Sequence, residues 1–215
     1  MAITKTSERL FFCFESQAIR MPCTVFSCQP TSSPASSFIP TIAYLERDSL
    51  RVDRKASLDH IRIPRPTMRP SRPTASLYRA HLARITPADP IRDPYIAALL
   101  MALAQSQRRN LIRAGGLPAN PNSFRVHVLV GDATDETRLH VYTANIPAAS
   151  LDRLADSRWI PRAPISFVVH ATEVPFGPYS SFQQRLLQTM FPEDKKRRRD
   201  AGTSRAEGVK VARVG

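Results

Sequence analysis

Residues 93–116, DPYIAALLMALAQSQRRNLIRAGG, decide how the rest of the chain is read. Asp93 can cap a helix, and Pro94 suits the first helical position, where its missing N–H would have had no partner. Apolar text runs almost unbroken from Tyr95 to Ala104. Arg108, Arg109 and Arg113 follow, where the negative end of the helix dipole favours cations. Gly115 or Gly116 can take the left-handed conformation that ends a helix. The first half is apolar nearly all round, which predicts burial on more than one side. This is the expected core helix, and nothing in it speaks of chemistry.

Downstream, Leu117 to Asn122 reads as a proline-containing loop. Phe124–Val130 then alternates, with Phe124, Val126, Val128 and Val130 on one side and Arg125, His127 and Leu129 on the other. GDATDET turns the chain into 139–144, where Leu139, Val141 and Thr143 oppose His140, Tyr142 and Ala144. Pro147 opens a short helix over 148–156, residues 165–171 make a third strand, and 179–191 a last helix with the stripe Phe182, Leu186, Leu187 and Met190. The expected fold class is α+β: a three-stranded, mainly antiparallel sheet with helices on one face. Disordered, basic, proline-rich extensions flank it.

Upstream, an aromatic cluster (Phe11, Phe12, Phe14, Phe26) precedes QPTSSPASS at 29–37, which has linker composition. Ile42, Tyr44 and Leu45 form a short strand or a helical turn; the run is too short to decide. RIPRPTMRPSRP at 62–73 reads as exposed polyproline-like chain. A weaker helix is expected at 75–85, with Thr74 as cap and Leu77, Leu82 and Ile85 on one face. The expected organisation is a disordered segment over 1–40, a partly ordered basic lead-in over 41–88, the core domain over 89–192 and a basic disordered tail over 193–215.

Charge supports that division. Basic residues outnumber acidic ones thirteen to six in 1–88, ten to eight in 89–192 and eight to four in 193–215, within a formal net charge of +13. The basicity therefore belongs to the flanks, which suits solvated or nucleic-acid-facing extensions better than a basic groove. Three cysteines, all before residue 29, are too few and too clustered for a disulfide framework, and no glycosylation acceptor is present. Both point to an intracellular protein, in nucleus or cytoplasm; a mitochondrial leader is the lesser alternative for an acid-poor start with Arg9 and Arg20. The longest apolar run, ten residues, is too short to span a bilayer.

The runs DPYIAALLMALAQSQRR at 93–109, FRVHVLV at 124–130, RLHVYTANIPAASLDRL at 138–154 and YLERDSLRVDR at 44–54 together resemble a family of uncharacterised proteins of filamentous fungi. The resemblance spans 44–190. It implies a fungal source and one unit over that span, and it brings no activity, cofactor or catalytic residue.

Chemistry is mostly excluded. No lysine occurs between Lys55 and Lys195, so phosphate-loop, Schiff-base and carboxylate-plus-lysine nuclease schemes have no lysine in the core. Glycine is absent before Gly115, which removes Gly-rich phosphate cradles there. Cys13, Cys23 and Cys28 have no nearby histidine and make a poor zinc pattern. Asp132, Asp135 and Glu136 share a loop without the spacing of a calcium site. No metal or cofactor is expected. If the β-branched sets face the helices, His127, His140 and His170 project together from the outer sheet face, either as a metal or acid–base cluster or as ordinary polar residues on a solvated face. The run Lys195, Lys196, Arg197, Arg198, Arg199 reads as a nuclear-import or nucleic-acid patch. The leading reading is an interaction or scaffold domain with a protein partner. Its alternatives are weak, non-specific nucleic-acid association through the basic extensions, and an enzyme using the histidine face.

Overall fold

The computed structural model describes residues 2–29, 40–62, 72–113, 122–161 and 164–192. The α+β class holds, but the sheet has six strands rather than three. In chain order the strands are β1 (Ala2–Phe14), β2 (Gln17–Gln29), β3 (Pro40–Glu46), β4 (Ser123–Gly131), β5 (Arg138–Pro147) and β6 (Val169–Pro175). They lie side by side in that same order. Neighbours are antiparallel except β3 and β4, which are parallel because the helical segment of the chain intervenes. That segment holds α1 (Arg47–Ser57), α2 (Asp59–Arg62), α3 (Arg72–Ile85), a 3-10 turn at Pro90–Arg92 and α4 (Pro94–Arg113). α5 (Ala148–Ala155) follows β5, and α6 (Tyr179–Met190) follows β6.

Residues 2–29, expected to lie in a disordered segment, instead form the β1–β2 hairpin. Its two-residue turn places Glu15 at φ 51, the left-handed region that glycine usually fills. Tertiary bonds hold it there: Glu15 N–H donates to Leu154 O at 2.7 Å, and Ser157 Oγ donates to the Glu15 carboxylate. The linker text at 30–39 and the tail from 193 lie outside the described residues, as does most of the polyproline-like stretch.

α4 is the core helix. Asp93 Oδ1 accepts from Tyr95 N–H at 3.0 Å as its cap, and both Asp93 oxygens accept from Arg54 Nη2 at 2.6 and 2.7 Å. Ile96, Leu99, Leu100 and Leu103, at helical spacing, are buried on the sheet. The polar second half is explained by what it ties. Gln105 accepts from Cys13 N–H at 2.9 Å and donates to Cys13 O at 2.7 Å, so it docks β1 as a strand would. Gln107 donates to Arg125 O at 3.0 Å and docks β4.

Helices cover both faces of the sheet, not one. On the α4 face, Val25, Leu45, Phe124, Val126, Val128, Tyr142 and Ile146 join Leu50 of α1 and Leu151 of α5 in one apolar cluster. On the other face, Ile42, Leu129, Leu139, Val141 and Val174 pack under α6 with Met190, flanked by Phe182, Leu186 and Leu187. Gly131, the last residue of β4, lets the Tyr44 hydroxyl and the Glu46 carboxylate approach its backbone, where a Cβ would lie 2.8 and 2.9 Å from them and make those side chains shift. Arg185 fastens α6 to the end of β6 by donating to Pro175 O at 2.7 Å and Gly177 O at 2.9 Å.

Candidate interaction surface

The register of β4 and β5 separates the three histidines. Phe124, Val126, Val128 and Val130 stand opposite Ile146, Ala144, Tyr142 and His140. His140 therefore shares the α4 face, while His127 lies on the α6 face. The expected common histidine face is not formed, because β5 is central and apolar on both sides.

His127 and His170 both flank Thr143, one from β4 and the other from β6. Yet His127 is fully buried and His170 exposed. The His127 Nδ1 lies 2.9 Å from Thr143 Oγ1, and its ring meets Phe191 edge-on at 5.0 Å between centroids. Burial, helped by the Arg125 charge, pulls its pKa down to about 4, so the ring is neutral at neutral pH. It fastens the C-terminal end of α6 to the sheet, beside Arg125, which donates to Met190 O at 2.8 Å. His140 is buried on the other face, with Nδ1 3.9 Å from Glu173 Oε1. Among the described residues no group of three or more His, Cys, Asp or Glu side chains is placed to hold a metal ion.

The acidic loop is spent on turns. Asp132 Oδ1 accepts from Thr134 N–H at 3.0 Å, and Asp135 Oδ1 accepts from Thr137 N–H at 3.1 Å. Asp132 Oδ2 also lies 3.0 Å from Arg47 Nε, a charge contact without hydrogen-bond geometry. All three cysteines are free. Burial pushes the Cys23 thiol up to about 11, which leaves it protonated and inert at neutral pH. The basic run Lys195–Arg199 lies outside the described residues.

The feature the residue pattern did not reveal is the far edge of the sheet. β6 is the last strand, so its outer row of N–H and C=O groups has no strand partner among the described residues. From His170 to Glu173 its side chains are exposed. On the α4 face, α4 stops short of it and leaves a cleft of about 330 Å³. Ile91, Pro94, Ile96 and Ala97 form one wall, and Val169 and Ala171 of β6 the other. Tyr142 also lines it. Its hydroxyl has no hydrogen-bond partner among the described residues and lies beside the Arg47 guanidinium.

A second cleft, about 460 Å³, opens upstream along the chain that leads into β6. It is bounded by Pro147, Ala149, Trp159, Ile160, Pro164 and Ile165. Ile160 and Val168 are exposed at 85% and 67%, unusual for side chains of that size. Cations rim both clefts: Arg92 beside the first and Arg158 beside the second, both exposed. Of the nearby carboxylates, Asp93 is engaged by Arg54 and Asp156 by the Arg158 N–H at 2.9 Å, while Asp89 pairs with Arg92 itself at 3.6 Å across an exposed surface. The one hint in the sequence was the apolar, proline-broken run at 159–164, which carries the only tryptophan and precedes the stretch expected to be a strand.

A third strand had been expected over 165–171. β6 begins four residues later, and Pro164, Ile165 and Ser166 line this cleft instead of pairing with β5. No protein-family model, no curated protein and no solved structure matches the chain. Among the described residues no helix is long and apolar enough to cross a membrane.

Proposed function

We propose that the chain is a protein-interaction domain that takes up an extended segment of a partner by strand addition at β6. One observation carries this reading: among the described residues, a terminal strand with an unpaired outer edge runs directly beside an apolar cleft that no element fills. Strand addition supplies affinity through main-chain hydrogen bonds and specificity through pockets for alternate side chains. A strand laid ~4.8 Å outside β6 would direct every second side chain to the α4 face, toward Val169, Ala171 and the Ile91–Ala97 wall.

The edge has one of the usual protections against such pairing, the charge of Glu173, and lacks the others. Between Val169 and Val174 it carries no lysine, no proline and no bulge. Arg158, exposed at the rim of the second cleft, favours a partner with carboxylates beside its apolar residues. The run Lys195–Arg199 is best read as an address that takes this domain to the nucleus, and replacing it with alanine should relocate a fluorescent fusion.

The test of the binding reading is direct. A nine-residue peptide alternating valine with glutamate should shift the backbone amide resonances of Val169–Glu173 and slow their hydrogen exchange. The same composition interrupted by proline should not. An Ala171→Asp variant should lose the response while keeping its fold, because Ala171 is exposed. Shifts that appear elsewhere, or none at millimolar peptide, would overturn the reading.

A further inference from the structure

A second surface, on α3, is built differently, and we infer that it binds the phosphate backbone of duplex DNA. α3 packs on α1 and α2 and buries none of its residues. Its half-covered positions, Thr74, Tyr78, His81 and Leu82, recur at helical spacing and form the docking stripe. The opposite side carries Arg72, Ser76, Arg79 and Ala83, all exposed, with Arg84 exposed at the flank.

Two properties make this more than a solvated helix face. First, the chain has no acidic residue between Asp59 and Asp89, and six arginines lie in that interval. Among the described residues no carboxylate pairs with Arg72, Arg79 or Arg84, whereas Arg47, Arg51, Arg54, Arg108 and Arg138 each have one. What sets α3 apart is that three exposed arginines lie on one helix in a stretch of sequence with no carboxylate to pair with them. Second, the side chains between them are small. Ser76, Ala80 and Ala83 let a large surface approach the helix closely while the guanidiniums reach past them.

The partner follows from charge and from what the face lacks. A row of unpaired guanidiniums fits phosphate oxygens. Single-strand binders add aromatic side chains for stacking bases, but the aromatic ring of α3, Tyr78, lies on the docking stripe and not on the arginine face. That favours a duplex, read through its backbone. The choice of DNA rests on the nuclear address proposed above for Lys195–Arg199. Binding is expected to be independent of sequence, since the contacts inferred are to phosphate oxygens, which position a protein on a duplex without reading its bases.

The test uses the full chain and a labelled 20-base-pair random DNA duplex, titrated across salt. Arg72→Ala, Arg79→Ala and Arg84→Ala combined should weaken binding at least tenfold at low salt. Each lost phosphate contact removes about 0.9 from the slope of log affinity against log salt, so the triple variant should lose about 2.7. All three residues are exposed, and an unchanged thermal midpoint would confirm that folding is intact. Alanine at Lys195–Arg199 serves as comparison. Wild-type affinity and slope in the triple variant, or loss of binding only when the tail is changed, would overturn the inference. So would binding tenfold tighter to an RNA duplex of equal length, or no binding to DNA at 50 mM salt.

Discussion

The two faces of the sheet are both buried, but by different means. On the α4 face a 20-residue helix, helped by α1 and α5, lies across β1 to β5 and makes a continuous apolar core. On the α6 face a 12-residue helix packs on β5 and β6, with Ile42 of β3 and Leu129 of β4 in the same cluster, and the contact includes polar groups: buried His127, Thr143 and the Arg125 bond to Met190 O. The first face supplies stability through area. The second depends on a neutral histidine and on anchors at the two ends of one short helix. The α4 face also stops short of β6, and there the fold leaves an apolar cleft open.

The largest effect should come from the ion pair that starts α4. Asp93→Ala removes the cap and leaves Arg54, whose side chain is 14% exposed, without its carboxylate. Breaking such a pair costs about 3–5 kcal/mol. A denaturant titration showing less than 1 kcal/mol would mean that the pair does not organise this face. Leu100→Ala comes next. Leu100 is fully buried among the cluster residues, and its truncation should cost about 2–5 kcal/mol. An unchanged midpoint would break the assignment of α4 as the core helix.

The α6 face should reveal itself through pH. The folded-state pKa of His127 is about 4, against 6.5 for the free side chain. Below pH 6.5 the unfolded chain takes up a proton that the folded chain refuses, so stability falls as the pH drops from 6.5 to 4. Above 6.5 the residue contributes no pH dependence. The loss across that window is about 3 kcal/mol at most. His127→Gln should flatten this part of the stability profile; a wild-type slope in the variant would show that another group titrates. Phe182→Ala, removing a half-buried ring, should cost about 1–2 kcal/mol by the area it covers. A loss as large as that of Leu100→Ala would erase the difference between the faces.

This difference also sets what could be read from the residues. α4 was legible because capping, apolar spacing and terminal cations all agree over 20 residues. The alternation of β4 and β5 was legible too, but not which face each set occupies. Alternation tells inside from outside only when one face is wet, and here both are dry. His127 thus looked like a surface residue and is fully buried. The β1–β2 hairpin was hidden for another reason. Its turn is Glu15–Ser16, with no glycine or asparagine, and is held by Leu154 and Ser157, which are far away in sequence. α3 was visible as a helix, but its start at Arg72 makes Thr74 a helical residue and not the cap. The edge at β6 depends on strand order, which no local pattern encodes.

The smallest expected stability effect lies at that edge, and it bears most on function. Ile160 is 85% exposed and sits in the cleft that leads into β6. An apolar side chain in that position contributes little to the folded state, so Ile160→Asp should move the denaturation midpoint by less than about 0.5 kcal/mol. The same change puts a carboxylate into a surface proposed to receive apolar and acidic residues. Binding of the valine–glutamate peptide should therefore weaken at least tenfold, while the amide spectrum of the free domain away from residues 147–171 stays as in the wild type. A stability loss above 1 kcal/mol would make Ile160 part of the core and remove the cleft from consideration. Unchanged stability with unchanged peptide binding would confine recognition to the Ile91–Ala171 cleft, and the contrast between a filled sheet centre and an open sheet edge would then rest on that cleft alone.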